Sequence, residues 1–177
     1  MIICIGERVN DRSITADRVR RWRNMWYRAP DDRLCGYIRY TPAMTRGPSC
    51  ARLCRLLGMD REDFLIWNLL HPDNKPGTWH ADKARDCARP VADHLCDRYP
   101  EQDRVLLLGE RVVAAFNYSG ARFGDPVTIH NPSGRSHKVS AMVVPHPSGR
   151  SRFWNDPDAE GEIRSRIQGF ISEEVAA

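Results

Sequence analysis

Four short runs of mainly apolar, β-prone residues recur along the chain, at residues 2–5, 64–70, 104–109 and 141–144. Runs of this character are typical of strands that are buried on both faces of a sheet. Segments with a helical spacing of apolar residues lie between them, for example residues 50–57 and 110–116. Residues 125–140 predict a β-hairpin that leads into the last run. The alternation of buried strands and helices predicts an α/β fold.

Polar residues follow the first apolar run directly. Gly6 ends that run, and Glu7, Asn10 and Asp11 come next. Loops at the carboxyl ends of strands are where α/β proteins place their reactive side chains. Carboxylates in such a loop can act as a base or stabilise positive charge, so this loop is a candidate catalytic segment.

The second apolar run contains one polar residue, Asn68. A buried amide must be hydrogen-bonded, and its paired donor and acceptor match the edge of a pyrimidine base. Asn68 is therefore a candidate base-reading residue. The structural alternative is an amide that bonds to the neighbouring backbone.

A stiff loop follows the last apolar run. Pro145, Pro147 and Gly149 force the chain to turn there, and they hold His146 at the end of the strand. A histidine in this place can donate to a developing anion or move a proton. Two hydroxyls and two arginines follow, and they suit phosphate oxygens: Ser148, Arg150, Ser151 and Arg152. The alternative is a plain turn with a solvated histidine.

The composition is typical of a soluble protein and is rich in arginine. At 177 residues the chain is long enough for one domain, and we expect a single domain over residues 1–177 with a C-terminal helix at 157–175 packed on it. Of 27 basic residues three are lysine and the others arginine, which suits a nucleic-acid partner, although a GC-rich genome gives the same bias. No apolar run reaches a membrane span and residues 1–5 are too short for a signal peptide, so a cytoplasmic location without membrane contact is expected.

The six cysteines do not have the spacing of a metal site. No Cys-x2-Cys pair occurs, and the closest pair, Cys50 and Cys54, has three residues between its members. We therefore expect buried free thiols and neither a metal nor another cofactor.

Three of these features occur in the order found in one enzyme family. Gly6-Glu7 after the first strand, Asn68 in the second, and His146-Pro147-Ser148-Gly149 after the last resemble the motifs of the uracil-DNA glycosylase superfamily. The resemblance implies a three-layer αβα sandwich around a four-stranded, mainly parallel sheet. It also implies a DNA glycosylase, a hydrolase that cleaves N-glycosidic bonds, with DNA containing the target base as its partner and no obligate protein partner.

The resemblance also implies roles for the candidate residues. Glu7, Asn10 and Asp11 would face the sugar and the attacking water, Asn68 would read the base, and His146 would stabilise the leaving base. Ser148 and Ser151 would contact the DNA backbone, with Arg152 beside them, and Arg150 stands where relatives insert a wedge residue. Phe153 and Trp154 are candidates for a stacking surface or for the core.

The chain departs from uracil-specific relatives in its first motif. Their Gly-Gln-Asp-Pro-Tyr-His aligns with residues 6–11, so that Arg8 replaces the water-positioning aspartate and Asn10 replaces the tyrosine that blocks groups on C5 of the pyrimidine. The hypothesis is therefore a glycosylase that flips out a modified, 5-substituted pyrimidine and leaves an abasic site. It would serve repair or anti-phage defence, with glucosylated hydroxymethylcytosine as one possible target. The alternatives are a non-catalytic nucleic-acid-binding module and a nucleotide or nucleotide-sugar hydrolase.

Overall fold

The chain forms one five-stranded sheet with helices on both faces. The computed structural model describes residues 1–8, 48–60, 63–70, 79–98, 103–134, 137–148 and 151–173. The strands are β1 (Ile2–Arg8), β2 (Phe64–Leu70), β3 (Arg104–Leu108), β4 (Pro126–His130) and β5 (Lys138–Val144). The helices are α1 (Pro48–Leu57), α2 (Ala81–Arg98), α3 (Glu110–Ala115) and α4 (Ala159–Ser172), and a 3₁₀ helix spans Arg152–Asn155.

The sheet has the strand order β2-β1-β3-β5-β4. β1 pairs in parallel with β2 and β3, and β3 pairs in parallel with β5. β4 lies antiparallel to β5 at the edge, which confirms the predicted hairpin. The sheet has one strand more than the four expected, because the outer arm of that hairpin joins the four parallel strands.

Two apolar clusters separate the sheet from its two helical layers. Ile3 and Ile5 pack with α2 and α3 on one face, whereas Ile2 and Cys4 pack with α1 and α4 on the other. This alternation follows from the two-residue period of a strand. Both faces of the parallel strands are therefore covered, and the predicted three-layer αβα sandwich is confirmed.

The first strand is longer than the apolar run that predicts it. β1 continues through Glu7 to Arg8, with Gly6 beside Asn68 and Arg8 beside Leu70 in the parallel ladder. The expectation that Gly6 ends the strand and that Glu7 lies in a loop was wrong. Backbone pairing with β2 keeps the chain extended whatever the side chains are, since the ladder bonds use only N–H and C=O groups.

A similar sequence, Gly109-Glu110-Arg111, behaves differently after β3. Gly109 has a φ of 94°, a conformation that side chains disfavour, and α3 begins at the next residue. The N–H of Gly109 donates to the carbonyl of Val144 at 2.7 Å. This bond holds the carboxyl ends of β3 and β5 together.

The last helix lies inside the range predicted for it. α4 begins at Ala159, where the carbonyl of Asp156 accepts the Ala159 N–H, and it buries Ile163, Ile167 and Phe170 as expected. Among the helices that the structure describes, none combines the length and the apolar character needed to cross a bilayer.

Candidate functional site

The candidate residues come from one edge of the sheet. Because β1, β2, β3 and β5 are parallel, their carboxyl ends meet at the same edge. Glu7 follows Gly6 in β1, and Gly6 pairs with Asn68 in β2. His146 follows β5, which is two strands from β1 in the sheet. Neighbouring strands are ~4.8 Å apart, so β1 and β5 are separated by roughly 10 Å. That span of backbone is compatible with one cleft for a nucleotide.

Several predicted site residues cannot be placed within this cleft. Asn10, Asp11 and Arg150 lie outside the described residues. For Glu7 and Asn68 only the backbone is described. Their roles remain predictions, and the described part of the site is the segment from His146 to Trp154, without residues 149–150.

The imidazole of His146 is held by its own turn. The side chain is half-buried between Pro145 and Pro147, which are both buried. The Ser148 N–H donates to Nδ1 of His146 at 3.2 Å, and the Ser148 hydroxyl lies 2.9 Å from the same nitrogen. Because a backbone N–H can only donate, Nδ1 carries no proton. A neutral ring therefore has its proton on Nε2, which is a donor suited to an anionic base.

The carbonyls of this turn are bound by two side chains from other elements. The indole Nε1 of Trp154 donates to the carbonyl of His146 at 2.8 Å. The Nη1 of Arg52, on α1, donates to the carbonyl of Pro147 at 3.0 Å. The guanidinium of Arg52 also stacks over the Trp154 ring, 4.7 Å from its centroid. The turn is therefore tied both to α1 and to the 3₁₀ helix.

An ion-pair network anchors the arginine of this arrangement. Glu160 accepts from Nε of Arg55 at 2.9 Å, and its other oxygen lies 3.3 Å from Nε of Arg52. The hydrogen bond from Arg55 and the nearby positive charges of Arg55 and Arg52 lower the pKa of Glu160 despite the opposing effect of burial. The carboxylate also lies in the first turn of α4, where a negative charge is favourable.

Phe153 and Trp154 belong to the core side of the 3₁₀ helix. Both are half-buried and pack against the apolar cluster of α1 and α4. Phe153 makes edge-to-face contacts with Phe123 and Trp154, at centroid distances of 5.4 and 5.0 Å. Of the two possibilities left by the sequence, packing in the core is the one supported by these contacts. Arg152 is exposed and Ser151 half-exposed beside them.

Five of the six cysteines lie in the described segments, and Cys35 lies outside them. Cys4, Cys50 and Cys96 are buried as predicted, whereas Cys54 and Cys87 are half-buried. Within the described segments, no three histidine, cysteine or acidic side chains are grouped so that they could hold a metal ion.

Sequence reasoning missed Arg52 and Glu160. Arg52 lies 95 residues before the carbonyl that it binds, and one arginine among many carries no signal of such a contact. The only available hint is the helical pattern of α1, in which Arg52 stands next to the buried Leu53. Trp154 was singled out, but its bond to the His146 carbonyl was not foreseen.

The family model of the uracil DNA glycosylase superfamily matches residues 31–168, which is most of the chain. This range contains Asn68 and the His146 turn, but it begins after Glu7, Asn10 and Asp11. No curated protein matches the chain.

Proposed function

Because the chain belongs to the uracil-DNA glycosylase superfamily, we propose that it is a DNA glycosylase for a modified, 5-substituted pyrimidine. The enzyme hydrolyses the N-glycosidic bond and leaves an abasic site in the DNA. The observation that carries this proposal is the turn at His146, in which the Ser148 N–H occupies Nδ1 and leaves the ring proton on Nε2.

The chemistry of the reaction requires such a donor. When the bond between C1′ and the base nitrogen breaks, both electrons leave with the base, so the base becomes anionic and the sugar cationic. The Nε2–H of His146 donates to an oxygen of the departing base and stabilises its negative charge. Glu7 or Asp11 offsets the positive charge on the sugar and orients the water that adds to C1′.

The target base must leave the duplex before it can react. Extruding a base costs a few kcal/mol and needs contacts to its hydrogen-bonding edge and to the flanking backbone. Asn68 is assigned the base edge, with Asn10 beside it. Ser148, Ser151 and Arg152 are assigned the phosphates, and Arg150 the gap that the base leaves.

The preference for a substituted base rests on position 10. Asn10 stands where the resemblance places a tyrosine that excludes groups on C5, and a smaller amide leaves room for such a group and can hydrogen-bond to it. Glucosylated hydroxymethylcytosine of phage DNA is the largest substrate of this class that we propose. Acting on it would make the protein a defence enzyme.

A base-release panel tests the function. Single- and double-stranded oligonucleotides, each with one uracil, hydroxymethylcytosine, glucosylated hydroxymethylcytosine or unmodified cytosine, are incubated with the protein and then treated with alkali. Strand breaks at a 5-substituted base, together with the free base in mass spectrometry, are the expected result. Intact strands across the panel would reject the glycosylase.

Variants of two histidines link the activity to the turn. His146→Ala is expected to lower the single-turnover rate about 10²- to 10³-fold, the loss typical of one donor to a developing anion. His130→Ala is the matched control, because His130 is exposed and pairs with Lys138 at the opposite end of β5. Equal rates for the two variants would contradict the role of His146.

One sequence feature favours a second candidate function. Arg8 replaces the aspartate that positions water in the resembled enzymes, which suits a module that binds nucleic acid without cleaving it. Tight, salt-dependent DNA binding with no base release, and unchanged binding in Glu7→Gln, would support that module instead.

A further inference from the structure

The turn that carries His146 depends on outside donors for its shape. Pro147 has no N–H, and the Ser148 N–H is directed to the His146 ring. The carbonyls of His146 and Pro147 instead accept from Trp154 and Arg52. Both donors are parts of large side chains that are themselves packed.

One peptide group connects Arg52 to the imidazole. The carbonyl of Pro147 and the N–H of Ser148 belong to the same peptide plane, and the described chain has no cis peptide bonds. In a trans peptide the C=O and the N–H point in opposite directions. The Arg52 bond at the oxygen therefore sets the direction of the N–H at the other end, which is the group that meets Nδ1 of His146.

The charge of Arg52 also strengthens that second bond. A charged donor at a carbonyl is roughly twice as strong as a neutral one, and hydrogen bonds in a chain polarise one another. The sequence of contacts runs from the guanidinium to the Pro147 carbonyl, through the peptide to the Ser148 N–H, and on to the ring. Of the two neutral tautomers, these contacts favour the one with its proton on Nε2.

Arg52 is fixed before any ligand arrives. Its Nε lies 3.3 Å from Glu160, and its guanidinium covers the Trp154 ring. Arg55 shares the Glu160 carboxylate but extends from an exposed position. The entropy of ordering the Arg52 side chain is therefore lost in folding, not in substrate binding.

We propose that Arg52 and Trp154 are positioning residues that hold His146 as its Nε2–H tautomer, a role that rests on the function proposed for His146. They act through the backbone and need not touch the substrate. Removing Arg52 frees the Pro147–Ser148 peptide to rotate, and removing the Trp154 donor frees the His146–Pro147 peptide. In either case the imidazole samples the Nδ1–H tautomer and other ring orientations. Base removal slows, whereas DNA binding does not change.

Nitrogen NMR of the imidazoles tests this without any substrate. Uniformly ¹⁵N-labelled protein at pH 8.5 reports the protonation of each ring nitrogen, and His146→Gln identifies the His146 signals. In the unaltered protein the His146 Nδ1 shift should be that of an unprotonated nitrogen. Arg52→Met, which keeps the aliphatic stem, should move that shift toward the protonated position.

Arg55→Met is the matched control for Arg52→Met. It removes the other guanidinium from Glu160 but no bond to the turn, so the His146 signals should keep their positions. Trp154→Phe is the second variant, since it keeps an aromatic ring and deletes the Nε1–H that binds the His146 carbonyl. Trp154→Phe should move the His146 Nδ1 shift in the same direction, and it replaces Arg52→Met if that variant does not fold. His146 shifts in Arg52→Met and Trp154→Phe that are identical to those of Arg55→Met and the unaltered protein would overturn the proposal.

Kinetics supply a second readout on the substrate that the panel identifies. Arg52→Met should lower the single-turnover rate about tenfold while the Kd for DNA stays within about twofold, and Arg52→Lys should recover part of the rate. A tautomer change without base release from any substrate would leave the positioning role intact and reject the glycosylase. Base release by the unaltered protein, with unchanged His146 shifts in Arg52→Met and Trp154→Phe, would support the glycosylase and reject the positioning role.

Discussion

At the scale of single residues, the side chain at position 10 decides how much space lies beside C5 of the bound pyrimidine in the proposed function. We expect Asn10→Tyr to lower kcat/KM for a 5-substituted base at least about tenfold relative to the unsubstituted base, because the ring refills that space. The ratio of the two kcat/KM values is the measurement. Asn155→Tyr, an exposed position on the 3₁₀ helix, is the control. A ratio that is the same in both variants would place the C5 group elsewhere.

The turn at His146 was only partly predictable from the sequence. Two prolines and Gly149 around His146 predict a stiff turn, and in its described part Ser148 contacts the His146 ring through its N–H and its hydroxyl. The direction of its hydrogen bonds was not predictable, because the partners of its carbonyls, Arg52 and Trp154, come from a different helix and from beyond the turn. Such contacts depend on the tertiary arrangement, and no local pattern encodes them.

At the scale of elements, the buried strands were the easiest to predict. The limits of β2 were predicted to the residue and those of β3 to within one residue, since both are apolar on both faces. β1 was predicted too short, because its last residues are polar and stay in the sheet through pairing with β2. An apolar pattern reports burial of side chains, whereas a strand continues as long as its backbone has partners.

Arg104 joins two of these elements at the end of the sheet opposite the candidate site. From the start of β3 its Nε donates to the carbonyl of Phe170 at 3.0 Å and its Nη2 to that of Glu173 at 2.6 Å, while its guanidinium stacks on the Phe170 ring. These bonds satisfy carbonyls at the end of α4 that have no partner within the helix. We expect Arg104→Met to lower the free energy of unfolding by about 2 kcal/mol, measured by urea denaturation.

Arg164→Met provides the comparison for that change. Arg164 is exposed on the same helix, so its replacement should alter the free energy of unfolding by no more than about 0.5 kcal/mol. If Arg104→Met is as stable as Arg164→Met, the carbonyls of the last turn find water as an equivalent partner.

At the scale of the whole molecule, the parallel pairing of four strands is what brings distant residues to one edge. The motifs occur along the sequence in the order found in the resembled family, and that resemblance predicted that they lie together. The strand order places the backbone of Glu7, Asn68 and His146 at the same edge of the sheet. Composition could not have done so, because strand order is a property of the assembled sheet. Strand order alone does not fix how closely the side chains of these three residues approach one another.

The stability of the whole fold should decrease at alkaline pH because of one buried thiol. Cys96 lies in the core, with its Sγ 3.6 Å from the carbonyl of Ile129. Burial, followed by the negative charges of Asp97 and Asp93, raises the pKa of Cys96 from 9.0 to about 11. Below pH 9 the thiol is protonated in both the folded and the unfolded chain, and its contribution to stability is fully present. As the pH rises from 9 to 11, the unfolded chain releases this proton while the folded chain retains it, and stability falls.

Removing the thiol should remove this pH dependence. Between pH 8 and pH 10.5 the unaltered protein is expected to lose about 2 kcal/mol more than Cys96→Ala, as measured by urea denaturation at pH 8, 9, 10 and 10.5. Tyr118, whose pKa is raised by burial and then by Cys96, is present in both proteins, so most of its contribution cancels in the difference. Cys96→Ala will be less stable near neutral pH because it leaves a small cavity, so the slope and not the absolute value is compared. Parallel curves would mean that the folded protein opens around α2 and lets the thiolate reach water.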